Sequence, residues 1–495
     1  MRLIKKSLNF TSCYRNFSLS ASIGREIEAN TLTPPRYNLK HLVNNLQDYV
    51  DSAKRRRLIQ VAESIPHISE LYFQTNQKRE QRTVISIERK RLERSLQTTT
   101  DAEQRKLFIT QLAQFKTTIN KINDEISQGE LEIALLMDAV PNTLPKDSPQ
   151  EEQVIKYLNA PYEEAPDKTA HSLLPGYYEQ AEPQNDHVLI GAGLGIIDLA
   201  SGSKVSGNSF YYLLGDAVTL ELALIQYALS VARRYGFKQS MPPSVVRREY
   251  AQACGFRPRD LTGERQIYNI AVAGDGADAG EQEKLCLTGT AEIPLAAWAS
   301  DMTFKLDQCP VKLSGVSRSY RAEVGGRGRD SRGLYRVHEF TKVELFAWVP
   351  EPTDDADASR IPTSDQLLEQ FRQIQEEVIG SLGLHARVLD MPASDLGASA
   401  FKKYDIEVWM PGKQSWGEVT SASNCTDYQA RRLHTRVKLK NGIVEAHTLN
   451  GTAIAVPRVI MAIIENFYDP QRQAVRIPQV LRKYMDDKEW IERDL

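Results

Sequence analysis

From Asn38 to Met137 the chain has no glycine before Gly129 and one proline, Pro66, so the residues that interrupt helices are nearly missing from a very long stretch. Such a segment is confined to long helices. In its second half Phe108, Leu112, Phe115, Ile119, Ile122, Ile126, Gly129, Ile133 and Leu136 alternate spacings of four and three, the repeat that winds one helix about another. The expected partner is the preceding helix, about Ile68 to Leu96, with a thinner and partly polar seam: Ile68, Leu71, Thr75, Lys78, Arg82, Ile85, Arg89, Leu92 and Leu96. Thr98 to Asp101 (TTTD) would join them. Two antiparallel helices of ~30 residues extend ~45 Å at 1.5 Å per residue, which describes an arm better than a core layer.

Charge on this stretch is uneven. Lys54 to Lys121 holds 15 Lys/Arg against 7 Asp/Glu, whereas Ile122 to Asp138 has five acids and no base. A solvated helix face accounts for such a bias, and so does a footprint for a phosphate backbone; the residues alone leave both open. The whole chain, with 62 Lys/Arg and 64 Asp/Glu, has no global positive field, so any nucleic-acid binding must be local.

The start, MRLIKKSLNFTSCYRNFSLSASIGR, carries five bases, six Ser/Thr and no acid before Glu26. No apolar core separates its basic residues, which argues against a secretory signal, and the pattern resembles a mitochondrial presequence destined for the matrix. A frayed basic terminus of a cytosolic protein is the alternative. The expected division is therefore 1–30 presequence, 31–145 helical arm, and 146–495 a second domain.

Composition limits that second domain. The chain is 41% hydrophobic and 25% charged, ordinary globular usage. Five scattered cysteines without a C-x-x-C pair argue against a disulfide framework and against zinc, and no apolar run reaches the ~18 residues that cross a bilayer. After a Pro-rich, polar break from Pro141 to Pro183, short apolar strands, glycines and separate helices predict an α+β fold. Leu220, Ala223, Leu224, Tyr227, Ala228 and Val231 form one helical stripe, and Val456, Val459, Ile460, Ile463, Ile464 and Phe467 another. Val311 to Val316, Tyr335 to Trp348 and Ile406 to Trp409 read as strands. Gly274 to Gly280 and the acidic Glu351 to Asp365 read as surface excursions.

Nucleotide motifs give little. GAGLGI (Gly191 to Ile196) lacks the last glycine of G-x-G-x-x-G and reads as a strand and turn, and no G-x-x-x-x-G-K-[ST] occurs. Four polar segments remain: LTGTAEIPLAAW (Leu287 to Trp298), where Thr290 and Glu292 share a face if extended; SRSYRAEVGGRGRDSRGLYRVHEFTKVELF (Ser317 to Phe346); SWGEVTSASNCTDYQARR (Ser415 to Arg432); and HTLNGTAIAVPRVIMAIIENF (His447 to Phe467). Singly each has a plain reading: Arg321 could pair with Glu323 on a surface strand, and Arg458 could merely open a helix.

Together they resemble class II aminoacyl-tRNA synthetases, with Arg321 as the motif 2 arginine and Arg458 as the motif 3 arginine. TAE at Thr290–Ala291–Glu292, EVTSASNCTDYQARR from Glu418 and LNGTAIAVPR from Leu449 are similar to seryl-tRNA synthetases, and the resemblance covers the chain after about residue 38. It implies an antiparallel sheet with flanking helices behind a coiled-coil arm that binds tRNA(Ser), with ATP and serine as substrates. It further implies that Arg321 bridges the amino acid carboxylate and the α-phosphate, that Ala322 and Glu323 meet adenine, that Phe340 stacks on it, and that Arg458 holds the γ-phosphate. Glu418, Val419, Thr420 and Ser421 take the nucleotide, Glu418 and Ser421 through Mg²⁺. Serine falls to Thr290, Ala291, Glu292, Glu344, Asn450 and Thr452. On this reading no covalent nucleophile or general base is needed, because positioning and charge neutralisation suffice for in-line attack on phosphorus.

Two departures from the family pattern stand out: His338-Glu339-Phe340 where many relatives have H-Q-F, and an arginine-richer loop, GGRGRDSRG. The resemblance also implies a homodimer, with Pro242-Pro243 in its interface motif and each arm serving the other subunit. Two rivals are a synthetase-like enzyme that loads a carrier protein, which would lack the arm, and a non-catalytic tRNA-binding relative, which would have lost Arg321, Glu344 or Arg458.

Overall fold

A computed structural model of the chain describes residues 32–160, 186–256, 267–270, 285–322, 333–353 and 357–493. The expected presequence, Glu323 and the Gly274 to Gly280 excursion lie outside them. Two compact units result, one holding Tyr37–Thr143 and the other Leu32–Arg36 with Leu144–Leu495.

The first unit is helical: α1 (Leu39–Asn44), α2 (Leu46–Arg55), α3 (Ile59–Thr98) and α4 (Ala102–Ala139). Helix α3 starts nine residues before the expected Ile68 and runs through Pro66. Proline inside a helix costs ~3 kcal/mol. Ala62, Ile65, Ile68 and Leu71 nevertheless stay on one stripe that buries against Leu42, Tyr49, Val50, Ile133 and Met137, and each large side chain so buried returns ~1.5–3 kcal/mol. Asp101 caps α4 by accepting from the Glu103 amide at 2.9 Å.

Every residue of the α4 seam is buried or half-buried. Its odd member, Gly129, faces the odd member of the α3 seam: a Cβ there would stand 2.6 Å from Thr75 Oγ1. Lys78–Glu125 (2.6 Å) and Arg79–Glu130 (2.7 Å) bridge the two helices. These pairs use part of the basic excess against the acidic stretch after Ile122. From Arg82 to Lys121 nine Lys/Arg still face four Asp/Glu.

The second unit is built on a sheet that has ten strands among the described residues: β1 (Gln153–Leu158), β2 (Lys238–Ser240), β3 (Thr303–Lys305), β4 (Val311–Tyr320), β5 (Glu339–Pro350), β6 (Ala386–Asp390), β7 (Lys402–Met410), β8 (Ser415–Thr426), β9 (Arg436–Leu439) and β10 (Gly442–Ala455). The order is β1-β6-β7-β8-β10-β5-β4-β2, with β9 joining β10 to β3. All pairs are antiparallel except β2 with β4 and β9 with β3.

Strand periodicity divides this sheet into an apolar face and a polar one. Val343, Leu345, Ala347 and Val349 of β5 and Tyr404, Ile406 and Val408 of β7 join the main core. That core is completed by helices α5 (His187–Leu194), α6 (Asp216–Arg234), α8 (Ser364–Gly380) and α9 (Val456–Phe467). Lys342 and Glu344 of β5 and Lys403 and Asp405 of β7 occupy the alternate positions. Further along that face Phe346 and Trp348 are covered by Ile293, Leu295 and Ala296 of the short helix α7 (Glu292–Trp298).

Two local expectations are corrected. GAGLGI is not strand and turn but the end of α5: Asp186 caps it, Gly195 closes it at φ 74°, and a Cβ on Gly191 would strike Ile197 Cδ1 at 2.5 Å. Tyr335 to Val337 lies before β5, which starts at Glu339.

Candidate active site

On the amino acid side, Thr290 and Glu292 are not extended. Ala291 is already helical and Glu292 opens α7, so the Glu292 amide donates to Thr290 Oγ1 at 3.3 Å while Thr288 Oγ1 donates to the Thr290 carbonyl at 2.6 Å. Glu292 Oε1 accepts from Gln429 Nε2 at 2.7 Å and Asn450 Nδ2 at 2.9 Å. Burial, reinforced by the charge of Glu344, pushes the Glu292 carboxyl up to about 7 against the pull of Lys342, the Gln429 bond and Arg321. Glu344 pairs with Lys342 (2.8 Å) and accepts from Thr452 Oγ1 (2.9 Å).

On the other side, Arg321 follows directly after β4 and is fixed through its backbone. Its amide donates to the His338 carbonyl at 2.9 Å, and His338 Nδ1 lies 2.9 Å from its own carbonyl oxygen. The Tyr268 hydroxyl meets the same Nδ1 at 2.7 Å. His338 stacks on Phe210 with ring centroids 5.1 Å apart. The Arg321 guanidinium stands 5.4 Å from the centre of the Phe340 ring. Ala322 is the last described residue of this segment before position 333.

A bulge places the next group. Glu418 lies opposite Glu407 and Thr420 opposite Ile406, so Val419 is the extra residue; it is buried with the core, and the run Glu418 to Ser421 borders the cleft. Burial would raise the Glu418 carboxyl, but Lys403, Arg458, Arg321 and Lys342 outweigh it and hold Glu418 below the usual carboxylate range. Arg458, in the first turn of α9, donates from Nη1 to the Glu418 carbonyl at 2.8 Å and from Nε to the Tyr335 carbonyl at 3.1 Å, with the Glu418 carboxylate 3.6 Å away.

Arg321, Phe340, Glu418, Val419, Thr420, Ser421, Thr452 and Arg458 share one cleft. Thr290, Ala291, Glu292, Glu344 and Asn450 lie beside it in a second polar cluster, joined to the first through Thr452 and Lys342. The departure at Glu339 falls on the opposite face of β5, where its carboxylate meets Arg318 Nε at 2.9 Å. It leaves the Phe340 face unchanged.

Tyr335, Arg336, Lys342 and Gln429 were not singled out from the sequence. Lys342 could have been, because it stands two before Glu344 on a strand and so shares its face. Gln429 carries no such signal; only the fold brings its fully buried amide to Glu292. For a hard cation, Glu418 and Ser421 offer two oxygen donors, too few for a self-sufficient site and suited to an ion that keeps waters and phosphate oxygens. Among the described residues no group of three or more His, Cys, Asp or Glu gathers to hold a metal.

Known proteins resemble this chain over most of its length. The family model described as tRNA synthetase class II core domain (G, H, P, S and T) matches residues 276–467. The mitochondrial serine–tRNA ligase of Saccharomyces cerevisiae is 40% identical over 93% of this chain and 97% of its own, and that of Schizosaccharomyces pombe 36% identical over 90% and 88%. Among solved structures, seryl-tRNA synthetase from Pyrococcus horikoshii complexed with ATP matches with a TM-score of 0.81 at 29% identity, over 93% of this chain and all of that one. The cytoplasmic serine–tRNA ligase from Naegleria fowleri in complex with AMP gives 0.74 at 25% identity, over 92% and 98%. With the cleft and the polar cluster beside it in place, the chain belongs to the seryl-tRNA synthetases, the ATP-dependent serine–tRNA ligases of class II.

Proposed function

We propose that the ligase reaction runs on the residues gathered here, in mitochondria, with tRNA(Ser) held by the helical arm. The observation that carries this reading is the meeting of Arg321, Glu418, Ser421, Thr452 and Arg458 around one cleft, beside a buried set that offers oxygens to an ammonium and a hydroxyl. Glu292 and Glu344 take the serine ammonium and Thr452 its hydroxyl, with Thr290, Ala291 and Asn450 shaping that end. Arg321 draws the serine carboxylate and the α-phosphate together, which removes their mutual repulsion and aligns a carboxylate oxygen for attack on phosphorus. Phe340 receives the adenine face, Ala322 and Glu323 its edge, and Arg458 the far phosphate.

Glu418 and Ser421 would hold Mg²⁺, which supplies charge neutralisation on the polyphosphate when bound. Glu418 is suited to this because neighbouring cations keep it ionised.

The arm reading is supported by the excess of bases between Arg82 and Lys121. A mitochondrial site is supported by the likeness to the two mitochondrial yeast ligases, and import to the matrix by the acid-free basic start. Exposed apolar side chains on successive elements, Leu189, Tyr212, Leu214, Val218 and Leu222, support a homodimer. The test is ATP–pyrophosphate exchange across the amino acids: exchange should depend on serine, and exchange driven equally by alanine or threonine would overturn the pocket assignment.

A further inference from the structure

We propose that Tyr335 is a positioning residue that presents Arg458 to the cleft, and that a buried His187–Glu465 pair holds Tyr335 in place. This rests on the reading of Arg458 as a phosphate-binding group. Arginine has a long side chain with many rotamers, and its usefulness in the cleft depends on how many of them are removed beforehand. Tyr335 removes them through two separate contacts. Its carbonyl accepts from Arg458 Nε at 3.1 Å, and its ring lies 4.5 Å from the guanidinium carbon.

The ring is itself confined. Lys413 Nζ stands 3.8 Å from its centre, and Gly417 lets strand β8 pass against its edge, since a Cβ there would come within 2.9 Å of Tyr335 Cε2. Behind the ring, the backbone is pinned just before it, where the Leu334 amide donates to His187 Nε2 at 3.1 Å. A backbone amide only donates, so Nε2 is unprotonated and Nδ1 carries the hydrogen that it gives to Glu465 Oε1 at 2.7 Å. Glu465 Oε2 accepts from the Gly412 amide at 2.9 Å, which fixes the residue next to Lys413.

One buried carboxylate therefore anchors the Leu334 amide through His187 and the Gly412 amide beside Lys413, and it sits on α9, two turns after Arg458 on the same helix. The contacts form a closed frame from Arg458 to Tyr335, to Leu334, to His187, to Glu465 and back along the helix. None of these hydrogen bonds and ring contacts, among the described residues, runs to Glu292, Glu344 or Thr452, so loss of the frame should register on ATP and not on serine.

The experiment is exchange kinetics on the full chain with ATP and serine varied separately, for Tyr335→Phe, Tyr335→Leu, Arg458→Ala and the double variant Tyr335→Leu/Arg458→Ala. Tyr335→Leu should lower kcat/KM for ATP about tenfold, the scale of one desolvated cation–π contact, and leave KM for serine within about twofold of the parent. Tyr335→Phe, which keeps the ring, should match the parent. In the Arg458→Ala background the leucine should add nothing, because the group it positions is gone. Parental ATP kinetics in Tyr335→Leu, equal damage in Tyr335→Phe, or a full further loss in the double variant would each overturn the inference while leaving the role of Arg458 standing. Parental kinetics in Arg458→Ala would instead remove the site reading beneath it. If the leucine variant does not fold, Tyr335→Met, which retains bulk without the π face, takes its place in every comparison.

Discussion

Thr452 donates its hydroxyl hydrogen to Glu344 Oε1 across 2.9 Å, and the two residues face each other in the ladder between β10 and β5. The Thr452 hydrogen is thereby committed, and what its oxygen has left is acceptor capacity. A substrate hydroxyl that meets Thr452 must arrive as a donor, a condition serine satisfies and alanine does not.

Thr452→Val keeps the volume and removes the acceptor. It should lower kcat/KM for serine by ~1–3 kcal/mol, the cost of leaving a buried polar group unpaired, and change alanine activation much less. Glu344→Gln should damage both amino acids, since it weakens the pairing with an ammonium that both carry. Exchange kinetics with the two amino acids decide the matter; equal losses for serine and alanine in Thr452→Val would show that Thr452 does not read the hydroxyl.

Arg321 is half-buried at the cleft, with its backbone bonded to His338 and its guanidinium beside the Phe340 ring. Arg321→Ala should therefore keep the fold while cutting adenylate formation by ~10² to 10³, the usual cost of one preorganised electrostatic donor. Thermal unfolding alongside exchange measures both. Activity within tenfold of the parent in a folded protein would remove Arg321 from the centre of the reaction.

The distal arm gives a prediction of the opposite kind. Replacing Lys90, Arg91 and Arg94 together by alanine removes three positive charges from α3 well away from every cleft residue in the sequence. Serine-dependent exchange should stay at the parental level, whereas charging of tRNA should weaken and its dependence on salt become shallower, as fewer counterions are released. Equal effects on exchange and charging would sink the assignment of the arm to tRNA.

Periodicity made the helical unit legible, because heptad spacing survives in any context that offers a second helix. It misplaced the start of α3, since the cost of Pro66 is local and visible in sequence while the burial of Ile65 and Leu71 against Leu42 and Met137 is not. The same holds at the site. Arg321, Glu418 and Arg458 could be named from motifs, but their convergence depends on a strand order that brings β8 beside β10 and β10 beside β5. Gln429 and Tyr335 act through contacts 137 and 123 residues away in the chain, to Glu292 and Arg458, and no local pattern announces them. GAGLGI failed for a related reason: its glycines suggested a turn, whereas packing against Ile197 demanded a small residue within a helix.

Glu292 supplies the last prediction, through pH. Burial beside Glu344 places its carboxyl at about 7, well above an ordinary glutamic acid. Below that value Glu292 is protonated and neutral and cannot pair with an ammonium; above it the carboxylate is present and can. Raising the pH from 6 to 8 should therefore lower KM for serine, with the change centred near the Glu292 value in the free enzyme. Asp405 is likewise pushed up to about 7 by burial, so the titration needs an assignment. Glu292→Gln provides it: KM for serine should rise at every pH and lose its dependence between 6 and 8, a loss that a titrating Asp405 would not produce. A pH profile for serine that survives unchanged in Glu292→Gln would mean that another group binds the ammonium.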